Sequence, residues 1–385
     1  MNTRYNTLKQ IIHNQKCFKM ICGAGNENKA QVKKLAFIYT LAGATILDVS
    51  ANVDVVSAAT SGIDLAYEYA DKMNMSIETR PFIMVSVGMP GDHHVRKSYI
   101  DPFKCIGCNL CIPVCPTDAI PKDFVTNLDL YKVLNGHIDL EDISKEIVIK
   151  DLCIGCGKCS NICPKTDIIS YRHSSKQLET LLPECIEAGA ELFELHSAVA
   201  DDDVTIKEWS LINRINSTNY NSMCLDRLNL SNLKLEHRIE EIQKISKDRL
   251  IIQTDGLPMS GGENDYNTTL QAIACADVVN KKFNMKVNKK REIDSSGNEK
   301  ISSKKLYKSI DDEHNIPIIL SGGTNHLSKE LSIKTNVRVN GIAIGTYARD
   351  IIESYISSND FYENSEIISL AIVHAKNLVD VSNEK

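Results

Sequence analysis

Residues 105–116 read CIGCNLCIPVCP and residues 153–164 read CIGCGKCSNICP, so one chain carries the pattern C-x2-C-x2-C-x3-C-P twice. Cys105, Cys108, Cys111 and Cys115 form the first run, before Pro116; Cys153, Cys156, Cys159 and Cys163 form the second, before Pro164. Three closely spaced thiolates on a tight loop can each reach a different iron of one cubane. Zinc is the competing reading, because paired C-x2-C units also hold structural zinc. A third cysteine at the same spacing and a fourth before proline, both repeated, fit a [4Fe–4S] cluster and fit zinc poorly.

The run is that of the bacterial two-cluster ferredoxins, in which the fourth cysteine turns away and ligates the other cluster. The expected sets are therefore Cys105, Cys108, Cys111 and Cys163 for one [4Fe–4S] cluster, and Cys153, Cys156, Cys159 and Cys115 for the second. Crossed ligation ties the two halves together and brings the clusters close. Gly107 and Gly155 hold equivalent places, where a residue without Cβ lets the backbone wrap and point N–H groups at sulfur. Ile106, Ile112, Ile154 and Ile162 are the expected water shields, which lower the potential, while N–H donors raise it. Each run is followed by a matching stretch, PTDAI or PKTDII, as in a duplicated half-unit. The thirty-seven residues between Cys115 and Cys153 exceed the gap of a compact two-cluster ferredoxin, so an added helix or loop is expected around DLYKVLNGHIDLEDIS, with His137 on its surface. The module is bounded at residues 98–173.

Composition narrows the rest. Apolar residues make up 43% of the 385, enough for a packed core, and charged residues 24%, ordinary for a globular chain. A formal net charge of −6 argues against nucleic acid as partner, since phosphate binding needs a basic face. The longest apolar run, residues 36–49, is too short for a transmembrane segment. The first residues lack the apolar region of a secretory signal, so a cytoplasmic protein is expected; Leu8, Ile11 and Ile12 read as the stripe of a short helix lying on the core. Cys17, Cys22, Cys185, Cys224 and Cys275 then read as small buried apolar residues in a reducing compartment.

Outside the module, apolar strands alternate with helical patterns. Strands are expected at FKMICGAG, ATILDVSAN, PFIMVSVG, ELFELHS, NSMCLD, RLIIQTDG, IPIILSGG and GIAIGTY, with helices between them. Eight such units fit an α/β fold of the TIM-like (β/α)8 barrel type. The cysteine module is an insert after the third strand, hence on the C-terminal face. The domains expected are a discontinuous barrel over 1–97 and 174–350, the ferredoxin-like insert over 98–173, and a C-terminal helical region over 351–385. An open doubly wound sheet is the rival, but no GxGxxG fingerprint supports it. The polar stretch 287–312 reads as a mobile surface loop.

Strands seven and eight end in ILSGGTN and AIGTYAR. Loops at these places in barrels often bind phosphate, so Ser321, Gly322, Gly323, Gly345 and Thr346 are candidates to hold the phosphate of flavin mononucleotide (FMN); alternatively they only make tight turns. The loop GLPMSGGENDYNTT is a second anion nest, a lid, or a helix start capped by Thr268 or Thr269. Asp48, His196, Asp226 and Asp255 fall at strand C-termini and would converge in a barrel as acid, base or ligand groups, or serve singly as caps. His93 and His94 read as loop residues facing the module.

The double cysteine run, QTDGLPMSGG, and IILSGGTN followed by GIAIGTYARD resemble the cyanobacterial light-dependent period family over nearly the whole chain. The resemblance implies an iron–sulfur protein at the input of the circadian clock, reporting cellular redox state to clock-input or redox partner proteins, with a quinone or electron carrier as a further partner. It carries over the eight cluster cysteines and no catalytic residue. The alternative is an enzyme: an oxidoreductase whose barrel binds flavin or a small molecule and draws electrons from the clusters.

Overall fold

The computed structural model of the protein describes residues 3–88, 97–122, 147–149, 152–153, 157–172, 178–197, 201–227, 230–256, 264–293, 299–308 and 315–384. Eight parallel strands close a barrel: β1 (Cys17–Ile21), β2 (Ile46–Ser50), β3 (Phe82–Gly88), β6 (Leu192–His196), β7 (Asn221–Leu225), β8 (Leu250–Asp255), β11 (Ile318–Ser321) and β12 (Gly341–Ile344). They hydrogen-bond in that order, and β12 returns to β1 through Cys17↔Gly341 and Met20↔Ile344. These are the eight strands expected from the sequence. Helices α2 (Lys29–Leu41), α3 (Val53–Met73), α5 (Leu178–Glu187), α6 (Asp202–Ile215), α7 (Asn232–Ser246), α8 (Asp265–Val279), α9 (Ser328–Lys334) and α10 (Thr346–Ile356) connect them, and α11 (Ser365–Ser382) packs over α10 and α2.

Strand side chains alternate between two environments because the pleat has period two. Phe18, Met20, Leu47, Val49, Val85, Phe193, Leu195 and Ile252 face outward into the large core under the helices. Inward, the lower barrel is apolar: Cys17, Ile46, Phe82, Leu192, Ile251 and Ile319 pack around Leu8 and Ile12 of α1 (Thr3–His13). The N-terminal helix thus plugs the floor of the barrel, as its apolar stripe suggests. Two residues further along the strands the interior turns polar, with Lys19, Asp48, Ser86, Glu194, Ser222 and Gln253 all buried.

The cysteine module leaves the barrel after β3. It is framed by β4 (Lys97–Ile100) and β5 (Ile169–Arg172), which pair antiparallel with Lys97↔Arg172 and Ile100↔Ile169. A separate small core fills it: Ile100, Ala119, Ile120, Ile147, Val148 and Ile168 together with Cys111, Cys153 and Cys159.

Helix α3 begins at Val53, where Asn52 caps it by accepting from the Asp54 N–H. Two expectations need correction. Helix α8 is capped by Asn264, which accepts from Asn267 N–H; Thr268 and Thr269 are buried inside its first turns. The charged stretch 287–312 contains paired backbone: β9 (Met285–Ile293) runs antiparallel to β10 (Glu299–Tyr307), from Met285↔Tyr307 to Ile293↔Glu299. Asn284 joins the two ends of this insertion, donating to Ile316 O at 2.9 Å and accepting from Ile316 N at 2.8 Å. Cross-strand backbone pairing forms irrespective of the charge that made the segment read as solvated. His93, His94, His137 and most of the expected helix or loop after Cys115 lie outside the described residues, as does most of GLPMSGGENDYNTT.

Candidate functional site

In the module, Cys105, Cys108, Cys111 and Cys163 line one cavity with Ile100, Ile106, Ile168 and Ile169. Three of these thiols come from one loop and the fourth from the second run. Cys153 and Cys159 belong with Cys111 to the adjoining small core, Cys115 packs against it, and Cys156, Ile154 and Gly155 lie outside the described residues. The duplicated loops share an unusual backbone. Asn109 and Gly157 hold the same place in the two runs, and both are left-handed, with φ of 61° and 83°. Asp118 and Asp167, in the stretches that follow, are also left-handed, at 50° and 66°. Left-handed residues at matching places in two segments of different sequence fit a repeated ligand loop.

Several donors point at sulfur. Gly107 takes φ of 66° and its N–H meets Cys105 Sγ at 3.4 Å. Ala119 N–H meets Cys115 Sγ at 3.3 Å, and Ser98 N–H meets Cys153 Sγ at 3.4 Å. Burial pushes the Cys111 thiol up to about 11, and the neighbouring Cys105, Cys159 and Cys108 push in the same direction. Cys111, buried among other thiols, needs a cation beside it to become a thiolate, which is what iron supplies. The donor set therefore fits iron–sulfur clusters. Of the expected shields, Ile106 lines the cavity although 56% exposed, Ile112 packs against the small core, and Ile162 is 43% exposed; Ile100, Ile120 and Ile168 add a buried wall.

The barrel holds the second constellation. Lys19 Nζ lies 2.8 Å from Asp48 Oδ2, 2.7 Å from Glu194 Oε2 and 2.8 Å from Gln253 Oε1. Burial alone would favour the neutral amine, but the two carboxylates outweigh it and keep Lys19 charged. Burial raises Asp48 to about 6, helped by Glu194 and opposed by Lys19 and Ser86. Burial also acts upward on Glu194, yet Lys19, His196 and the Ser222 hydroxyl pull it below its ordinary value. Ser86 Oγ donates to Asp48 Oδ1 at 2.6 Å and lies 3.2 Å from His196 Nε2. Asp48, His196, Asp226 and Asp255 are all buried near strand C-termini. The sequence reading missed Lys19, Ser86, Glu194, Ser222, Gln253 and Cys224. A lysine inside FKMI and a glutamate inside LFELH, each on the inward register, were the available signals.

Of the expected phosphate ligands, Ser321 ends β11 beside Asp255 of β8. Gly322 and Gly323 turn left-handed at φ of 69° and 68°, and a Cβ on Gly323 would sit 2.2 Å from Thr268 Cγ2. Close approach to α8 therefore accounts for that glycine. Gly345 precedes α10 with no side-chain cap, and a Cβ there would make only ordinary contact with Ile21. Thr346 Oγ1 accepts from Arg349 Nη2 at 3.2 Å.

A family model for a 4Fe-4S double cluster binding domain matches residues 104–166, and one for a 4Fe-4S dicluster domain matches residues 145–190. A model for the Light dependent period A C-terminal domain matches residues 187–381, about half the chain. The chain belongs to the light dependent period A family. The protein named Light dependent period A from Synechococcus elongatus is 39% identical over 105 residues, a stretch covering 27% of this chain and 28% of that protein. The match thus spans less than a third of the relative's length. Among solved structures, the YdjI aldolase from Escherichia coli K12 aligns at a TM-score of 0.42 and 7% identity, covering 97% of this chain and 93% of that one. A putative fructose-1,6-biphosphate aldolase from Coccidioides immitis aligns at 0.44 and 6%, covering 99% and 97%. Likenesses this distant carry no argument. This family member is an iron–sulfur protein with a 4Fe–4S binding domain inserted in a TIM-like barrel. Among the described residues no helix is long and apolar enough to cross a membrane.

Proposed function

We propose that this family member is a redox sensor or electron-transfer adaptor that reports cellular redox state, and through it light, to protein partners at the clock input. In this reading Cys105, Cys108, Cys111 and Cys163 hold one [4Fe–4S] cluster and Cys153, Cys156, Cys159 and Cys115 hold another. The single observation that supports it most is the cavity lined by three cysteines of the first run and the last of the second. Bound clusters take up and release single electrons. The chain's own part is to tune and read that change. N–H groups of Gly107, Ser98 and Ala119 stabilise extra negative charge on sulfur, while the walls made by Ile100, Ile120 and Ile168 exclude water. A partner responds only if it binds the two redox states with different affinity. The placement in the cytoplasm, a clock protein as partner, and a quinone or soluble carrier as electron source belong to this proposal.

The test is an anaerobic preparation followed by paramagnetic resonance of the reduced protein. Cys163→Ser should remove the same signal as Cys105→Ser, and Cys115→Ser the same signal as Cys153→Ser. If Cys163→Ser instead removes the Cys153 signal, ligation is not crossed and the adaptor loses its built-in coupling.

A second reading, a flavin-binding oxidoreductase fed by the clusters, is favoured by one feature. The uncapped start of α10, with Gly345, Thr346 and nearby Arg349, suits an anionic group. Ser321, Gly322, Gly323, Gly345 and Thr346 would then face the phosphate of FMN. Acid-released flavin in stoichiometric amount from the same preparation supports the enzyme; its absence from fully cluster-loaded protein leaves the adaptor.

A further inference from the structure

We propose that His196, Cys224 and Asp255 form a binding site for a zinc-class divalent metal in the mouth of the barrel, separate from the cluster cysteines. The site is built by three neighbouring strands. Register pairs His196 of β6 with Cys224 of β7, and Cys224 with Gln253 of β8, so inward positions near the strand ends lie side by side. One nitrogen, one sulfur and one oxygen from these residues lie within 4.8 Å of one another. All three residues are buried, at 4%, 2% and 4% exposure.

An independent observation points to a ligand. Metal-bound histidines generally give their other ring N–H to a hydrogen-bond acceptor, which fixes the tautomer and the ring plane. Here Ser86 Oγ gives its own proton to Asp48 Oδ1 and stands 3.2 Å from His196 Nε2, where it can only accept; Glu194 Oε1 lies 3.4 Å from the same nitrogen as a nearby negative charge. The proton therefore belongs on Nε2, and the lone pair on Nδ1. Asp255 is held in the same manner: Gln253 Nε2 donates to its Oδ1 at 3.4 Å, while Oδ2 meets Cys224 Sγ at 2.7 Å. Gln253 lies two positions before Asp255 on β8, and Ser86 of β3 is in register with Glu194, two positions before His196, so both orienting groups sit in the barrel one layer deeper.

The donor chemistry selects the metal. One imidazole, one thiolate and one carboxylate form a borderline set that suits zinc; a single thiolate does not support an iron–sulfur cluster. A tetrahedral site with Zn–S of about 2.3 Å and Zn–O of about 2.0 Å places sulfur and oxygen about 3.5 Å apart. The present separation opens to that value by less than an ångström of side-chain movement. Three protein ligands leave a fourth position for water or a small anionic or carbonyl ligand, at the end of the barrel where such ligands bind. Binding displaces the Cys224 thiol proton, and the dication offsets the buried charge of thiolate and carboxylate.

Zinc K-edge X-ray absorption on the anaerobically purified, cluster-loaded protein, titrated with zinc, tests this directly. One equivalent should bind, with one sulfur and the remaining scatterers nitrogen or oxygen. Zinc with four sulfur neighbours, meaning occupancy of the cluster cysteines, or no binding at all, overturns the proposal. Cys224→Ser and His196→Gln should abolish the site while iron content and the cluster signals stay unchanged. Ser86→Ala, a positioning change, should weaken zinc roughly 10–100-fold while keeping the one-sulfur spectrum. Full zinc retention in Cys224→Ser also overturns it. Should a variant not fold, the wild-type sulfur count still decides the matter.

Discussion

At the residue scale the barrel is governed by one buried ammonium. Lys19 sits among carboxylates that have no access to water, so its removal strands charge rather than merely deleting a contact. Lys19→Met should destabilise the barrel by about 3–5 kcal/mol, the usual cost of orphaning a buried ion-pair partner. The readout is built in: Trp209, the chain's one tryptophan, is buried and donates to Ser246 Oγ at 2.8 Å, so its emission follows barrel unfolding. Asp48 should add a pH dependence. Its folded value, about 6, lies above the ordinary 3.8. The folded barrel therefore binds a proton that the unfolded chain releases. This group's stabilisation is complete below 3.8 and is lost as pH rises through about 6. Asp48→Asn should accordingly flatten the dependence of Tm on pH across that window; an unchanged slope would show that another group sets it. Gly323 is limited by backbone and space together. Gly323→Ala puts a Cβ against Thr268 at positive φ, and should cost about 1–3 kcal/mol in denaturant unfolding.

Elements carry a different kind of information. Helix α1 looks dispensable as a sequence, since only Leu8, Ile11 and Ile12 mark an apolar stripe, yet Leu8 and Ile12 are fully buried against six strands. Ile12→Ala should cost about 2–5 kcal/mol, as core truncations do, and should leave cluster iron unchanged. A loss of iron with no loss of barrel stability would mean that α1 supports the module instead. The strands were legible because eight short apolar runs alternate with helical patterns, as strands buried on both faces do. Hairpin β9–β10 was not, because Lys and Arg dominate its sequence and backbone pairing leaves no compositional mark.

Across the whole molecule, module and barrel meet through few described groups, and Lys97 is the most specific. Its Nζ donates to Gly25 O after β1 at 2.5 Å and to Cys153 O at 2.8 Å, joining a barrel loop to the second cysteine run. Lys97→Met should speed loss of the cluster signal in air several-fold while the Trp209 transition holds its midpoint, because only the junction is weakened. A matching fall in barrel stability would place Lys97 in the barrel core instead. The sequence alone determined that this chain binds iron–sulfur clusters and closes eight strands into a barrel. Both follow from local regularities, ligand spacing in one case and the repeated strand–helix unit in the other. Tertiary structure decided which barrel residues meet: Lys19 with Asp48 and Glu194, and Cys224 with His196 and Asp255. Those meetings depend on strand order, register and barrel closure, which bring together residues up to 175 positions apart, and no local pattern encodes them.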